Sequence, residues 1–99
     1  MGILITPSTE ASSLVEFRNP GNPKSLVFSL EDLQGYVQGY FELVPITETD
    51  HWLYKLGYLT MAVNEDGRRE ELPFNAVASQ LHGSAVVGNA LLLKERELD

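Results

Sequence analysis

Apolar and polar positions alternate along this chain in short runs, without one dominant period. Ile3 to Thr6 and Leu14 to Arg18 are rich in strand-forming residues and are separated by the polar segment Pro7 to Ser13. That pattern predicts a hairpin or two neighbouring strands. In Asn19-Pro20-Gly21-Asn22-Pro23-Lys24 two prolines fix φ and remove donors while the glycine frees φ, so a loop is expected. The clearest helical signal begins at Ser29, whose hydroxyl suits the free amides of a first turn, with Asp32 three residues on. Glu31 and Asp32 complement the positive end of the helix dipole, and Phe28 and Leu33 stand at the two positions of a hydrophobic staple. Leu30, Leu33 and Val37 repeat at helical spacing. They predict a helix over Leu30 to Gln38 with one apolar face, closed by Gly39 in a left-handed conformation. Gly35 inside it costs about 1 kcal/mol relative to alanine.

Downstream, Tyr40 to Pro45 reads as a strand stopped by its proline, and Ile46 to Asp50 as a polar connection. Trp52 to Val63 is aromatic and β-branched, broken at Gly57 by a bulge or a bend. Asn64-Glu65-Asp66-Gly67 has the residues of a hairpin turn, with Arg68 to Leu72 returning antiparallel to Tyr58 to Val63. Pro73 ends that strand. Asn75 is placed to cap a short helix, Ala76 to Leu81, closed by Gly83. Ala85 to Val87 and Ala90 to Leu93 read as two short strands, or as one kinked at Gly88-Asn89. The expected architecture is one α+β domain over residues 1–94, with a charged, frayed end over 95–99. Its sheet is mostly antiparallel, of five to seven strands, covered on one face by one longer and one short helix.

Four of these elements in order carry a resemblance: Gly39 to Pro45, Asn64 to Gly67, Leu72 to Asn75, and Val87 to Leu91. The succession resembles a family of short proteins of unknown function found in bacteria, phages and plasmids. Its members look like a helix, a Gly-Tyr-Phe/Ile-Glu-Val-Val-Pro strand, an Asn-Glu-x-Gly turn, a Leu-Pro-x-Asn element and a small-residue strand. The resemblance covers roughly the last two-thirds of the chain, and the segment Thr47 to Leu56 looks longer than the family's connection. It implies a mobile-element origin and a small α+β fold, and it supplies no activity.

Composition narrows the function classes. The chain has 99 residues, 43% of them hydrophobic, enough for one core. It has no cysteine, which removes disulfides, thiolate nucleophiles and zinc–cysteine sites. Its apolar stretches are short against the ~20 residues of a membrane span, and its start lacks the flank of a signal peptide. A bacterial cytoplasm is the expected compartment. The formal charge of −7 repels phosphates and anionic lipid, and the cations Arg18, Lys24, Lys55, Arg68, Arg69, Lys94 and Arg96 are dispersed. Direct nucleic-acid and membrane binding are therefore not expected. The charge serves solubility or faces a basic partner.

Candidate chemistry is sparse. His51 and His82 have no ligand partner at helical spacing, and the serines lack the Gly-x-Ser-x-Gly elbow, although Ser84 stands close to His82. Catalytic residues, a metal site and a cofactor are thus not expected. Glu70 and Glu71, on a strand, would face opposite ways and form no dyad. The aromatic residues offer more: on one strand, Trp52, Tyr54 and Tyr58 share parity and line one face, opposite Leu53, Lys55 and Leu59. The leading expectation is a non-enzymatic acidic protein that binds a host protein through Trp52, Tyr54, Tyr58, Glu65 and Asp66, and inhibits it. The alternative is a small-ligand binder, a homo-oligomer that sequesters a nucleotide signal with Tyr40, Asn64 and Asn75.

Overall fold

The computed structural model describes residues 2–7, 14–18, 21, 27–67 and 69–95. The loop expected at Asn19 to Lys24 lies largely outside these residues, as do Arg68 and most of the charged end. Among the described residues, five strands form one antiparallel sheet: β1 (Gly2–Thr6), β2 (Leu14–Arg18), β3 (Phe41–Pro45), β4 (Tyr58–Asn64) and β5 (Ala90–Lys94), in the order β2-β1-β5-β4-β3. Three helices accompany them: α1 (Leu30–Val37), α2 (Trp52–Lys55) and α3 (Ala76–His82). The fold is α+β. Its first and last strands pair at the centre of the sheet, with Ile3 opposite Leu92 and Ile5 opposite Ala90.

The sheet is covered on both faces, not on one. Ile3, Ile5, Met61, Val63, Ala90 and Leu92 pack on one side with Leu53 of α2 and Ala78 and Leu81 of α3. Leu4, Ala62, Leu91 and Leu93 point the other way, onto Phe28 and onto Leu33 and Val37 of α1. Alternation along a strand sends neighbours to opposite faces, so a strand buried on both must be apolar at every position. This is why Ile3-Leu4-Ile5 and Leu91-Leu92-Leu93 are unbroken apolar runs.

Helix α1 starts as its sequence dictates. The Ser29 hydroxyl accepts from Asp32 N at 3.1 Å, while Asp32 Oδ2 accepts from Ser29 N at 3.0 Å, a reciprocal capping box. Phe28 and Leu33 are both buried beside it. Leu30, expected on the apolar face, is instead 62% exposed at the first position of the helix. The left-handed terminator is Gln38 (φ 63°), one residue earlier than expected. No basic residue sits in the last turn; the free carbonyls of α1 accept instead from side-chain amides. Asn64 Nδ2 donates to Val37 O at 3.1 Å and Asn89 Nδ2 to Tyr36 O at 3.0 Å.

Among the described residues, three stretches expected to be strand are not. Trp52–Lys55 is a helical turn, capped by His51, whose Nδ1 accepts from Leu53 N at 3.1 Å. Trp52, Tyr54 and Tyr58 therefore do not share a strand face. Residues 69–71 do not return along β4, because β4 already has β3 on one side and β5 on the other. With neither edge of β4 open, the chain folds back on itself. Asn64 Oδ1 accepts from Asp66 N (2.8 Å), Asp66 O from Glu70 N (2.9 Å) and Gly67 O from Leu72 N (3.0 Å). Ala85 to Val87 likewise reduces to a single bridge, Val87 to Phe74.

Helix α3 is fixed at its start by Asn75, which is fully buried. Its Oδ1 accepts from Ala78 N at 3.1 Å, and its Nδ2 donates to Ile5 O and to Gly88 O, both at 2.9 Å. Asn75→Ala loses a cap and strands two buried carbonyls, and should cost about 3 kcal/mol in urea unfolding. Gln38→Gly relieves a left-handed side chain and should add about 0.5–1 kcal/mol in the same measurement.

Candidate functional site

Two surface features stand out, at opposite ends of β4. The first is α2. Leu53 is buried at 2% exposure and anchors the turn in the core, while Trp52 (58%) and Leu56 (56%) stand one turn apart and face outward. Because Nδ1 of His51 accepts a backbone N–H, the neutral ring carries its proton on Nε2. That ring stacks on Trp52 with centroids 5.9 Å apart and planes at 25°. The indole is thus held on a capped and anchored turn, with exposed Glu48 and Asp50 just before it.

The second feature is a cleft of about 560 Å³ between the outer end of the sheet, the turn after β4 and the segment after α3. Val44, Val63 and Val86 supply apolar lining; Glu42, Glu65 and Asp66 bring carboxylates; Arg69, His82 and Ser84 complete the polar groups. Arg69 is held on Asp66 at 2.7 Å, an exposed pair of small energetic weight. His82 Nδ1 lies 2.7 Å from Pro45 O. A carbonyl only accepts, so Nδ1 carries a proton, and the neutral ring is the opposite tautomer from His51. Thr47 Oγ1 donates to His82 O at 2.8 Å and ties the same helix end to the chain beyond β3. Among the described residues, no group of three or more histidines, aspartates and glutamates is placed to hold a metal ion. No helix among them is long and apolar enough to cross a membrane.

The residues singled out in the sequence are dispersed by this arrangement. Trp52 is displayed, Tyr54 is half-buried against the core, and Tyr58 is buried at 4% exposure with Lys94 Nζ 5.1 Å from its ring centroid. Glu65 and Asp66 lie on the cleft, about 20 Å from the start of β4 at the strand's rise per residue. They do not join Trp52 in one patch. Tyr40 is 69% exposed beside the same turn, where its carbonyl accepts from Glu65 N at 3.0 Å. Asn64 and Asn75 are buried, and the amide of each is committed to backbone groups inside the molecule. Leu56 and the cleft residues His82 and Ser84 were given no role by spacing alone. The first was signalled by its position four residues after Trp52; the cleft has no local signature.

Trp52 is the sole tryptophan, so its fluorescence reports this surface alone. Emission should peak close to that of free tryptophan, and acrylamide should quench it nearly as well. A blue-shifted, shielded signal would show that the indole is covered.

No curated protein and no solved structure matches the chain. One family model does, over residues 1–98, and its description is a domain of unknown function, DUF3846.

Proposed function

The chain belongs to the DUF3846 family, whose description assigns no activity, and from that premise we propose that it acts by recognition, as an acidic protein that binds and blocks a bacterial host protein. The observation that carries this reading is the displayed Trp52, with Leu56 beside it. Single exposed apolar residues are ordinary on any surface. An indole set on a capped turn, against a stacked imidazole and beside a buried neighbour, is a different matter, because less ordering entropy is left to lose on binding. Tryptophan is also the residue type most enriched among the contacts that dominate protein interfaces.

Charge supports the same reading. At −7 the chain is drawn to a basic surface and repelled from nucleic acid. Enzymes that handle nucleic acid carry basic surfaces, as do many that act in defence against mobile elements, so the partner belongs to this class. A phage- or plasmid-borne origin and a cytoplasmic setting fit that role. Electrostatic attraction would speed the encounter, and the apolar anchors would hold the complex.

Tagged protein and its Trp52→Ala variant test the proposal by capture from bacterial lysate, followed by affinity measurement with the purified partner. The substitution should weaken binding by more than about 2 kcal/mol, roughly thirty-fold, with the circular dichroism spectrum unchanged. Association should also slow as salt rises. Equal affinity from a folded Trp52→Ala protein would remove this surface from consideration.

A further inference from the structure

Strand β3 is an edge of the sheet, and its hydrogen-bonding parity is fixed at both ends. Glu65 N donates to Tyr40 O at 3.0 Å and Ile46 N to Leu59 O at 2.9 Å, in register with Phe41 opposite Asn64 and Pro45 opposite Thr60. Tyr40, Glu42, Val44 and Ile46 therefore direct their backbone groups toward β4, while Phe41, Leu43 and Pro45 direct theirs outward. Pro45 has no N–H, and its carbonyl is taken by His82. Among the described residues, Phe41 and Leu43 are left with outward N–H and C=O groups that have no partner.

The side chains around this gap differ by face. Glu42 and Val44 line the cleft. Phe41 packs with the α1 cluster, and Leu43, 47% exposed, shares that face through its partner Ala62. We propose that β3 accepts a short extended segment of a partner protein as a sixth strand, one in which basic and apolar residues alternate. Strand addition places every second side chain of the guest on one face. Guest residues on the cleft side meet the carboxylates of Glu42, Glu65 and Asp66, opposed by Arg69 alone among the described lining residues, and that cation is already held by Asp66. A lysine or arginine fits this face, its stem on the valines and its head among the carboxylates. Guest residues on the other face meet Leu43 and are apolar. His82 stands across the strand's end at Pro45, which confines the guest to the stretch facing Phe41 to Val44.

A second copy of β3 fits less well. Pairing Phe41 with Leu43 of another copy sets Glu42 against Glu42, and like charges directly opposite are destabilising. Pairing Leu43 with itself sends Phe41 toward Pro45, where the N–H is missing and His82 intrudes. Two chains at −7 also repel. This surface is separate from Trp52 and Leu56, so its failure would leave the reading above untouched.

The test uses the ¹⁵N-labelled full chain and two short blocked peptides, one alternating valine and lysine, the other valine and glutamate. The lysine peptide at saturation should slow amide exchange of Phe41 and Leu43 about tenfold or more and shift the resonances of Glu42, Val44 and Ser84. The glutamate peptide should do neither, and Glu42→Lys/Glu65→Lys, with its fold checked by the same spectrum, should abolish the effect. Shifts confined to the cleft without amide protection would reduce the site to a cation pocket and overturn the proposal. Protection that appears without peptide and grows with protein concentration would assign the edge to a second copy instead. No change at either amide would also overturn it.

Discussion

The side chain of Asn75 binds the Ile5 carbonyl, the Gly88 carbonyl and the Ala78 amide at once, with no solvent at hand to replace any of them. Its backbone adds a bond to Val86 O and accepts from Ser79 N and Ser79 Oγ. First strand, last helix and the approach to the last strand are thereby held to one point. A buried amide is costly when partly satisfied and a strong constraint when fully satisfied. Asn64 and Asn89 do comparable work at the other helix, where their amides take carbonyls that a basic last turn would otherwise complement.

This scheme determines which surfaces are left to interact. The sheet spends both faces on helices, and β4 and β5 are enclosed by neighbours, so among the described residues the surfaces open to a partner lie at the margins. One margin is α2, where a single buried leucine anchors a turn that carries an exposed indole. Another is the β3 edge with its cleft, closed at one end by His82. The two histidines hold opposite tautomers because one meets a donor and the other an acceptor. Each serves first to fix local backbone.

An acidic exterior around these margins suits the attachment proposed above. The charge selects against phosphate surfaces and in favour of basic ones, and acts over distances of about a Debye length, roughly 8 Å at physiological salt. Specificity must come from the short-range features, which are few and rigid. The asparagines proposed from sequence as ligand donors prove to be part of the frame that supports those features.

Much of the local structure was legible because its causes are local. Ser29 with Asp32, and Asn75 ahead of Ala76–His82, announce their helices by side-chain oxygens that reach nearby amides. The failures share one cause. Trp52 to Lys55 has strand-like composition but precedes the sheet register, which begins only at Tyr58; residues 69–71 follow a hairpin-like turn and find both sides of β4 already paired. Pairing depends on which strands already flank β4, and that is decided by segments far away in sequence. The unbroken apolar runs at Ile3 to Ile5 and Leu91 to Leu93 did record that both faces are buried, although the expected sheet was covered on one. The α+β class, the charge and the capped helix starts were readable in the chain, since these follow from neighbouring residues and composition. The two-sided cover, the exposure of Trp52 and, among the described residues, the open outer side of β3 arise only on folding, because burial and pairing are properties of the assembled sheet.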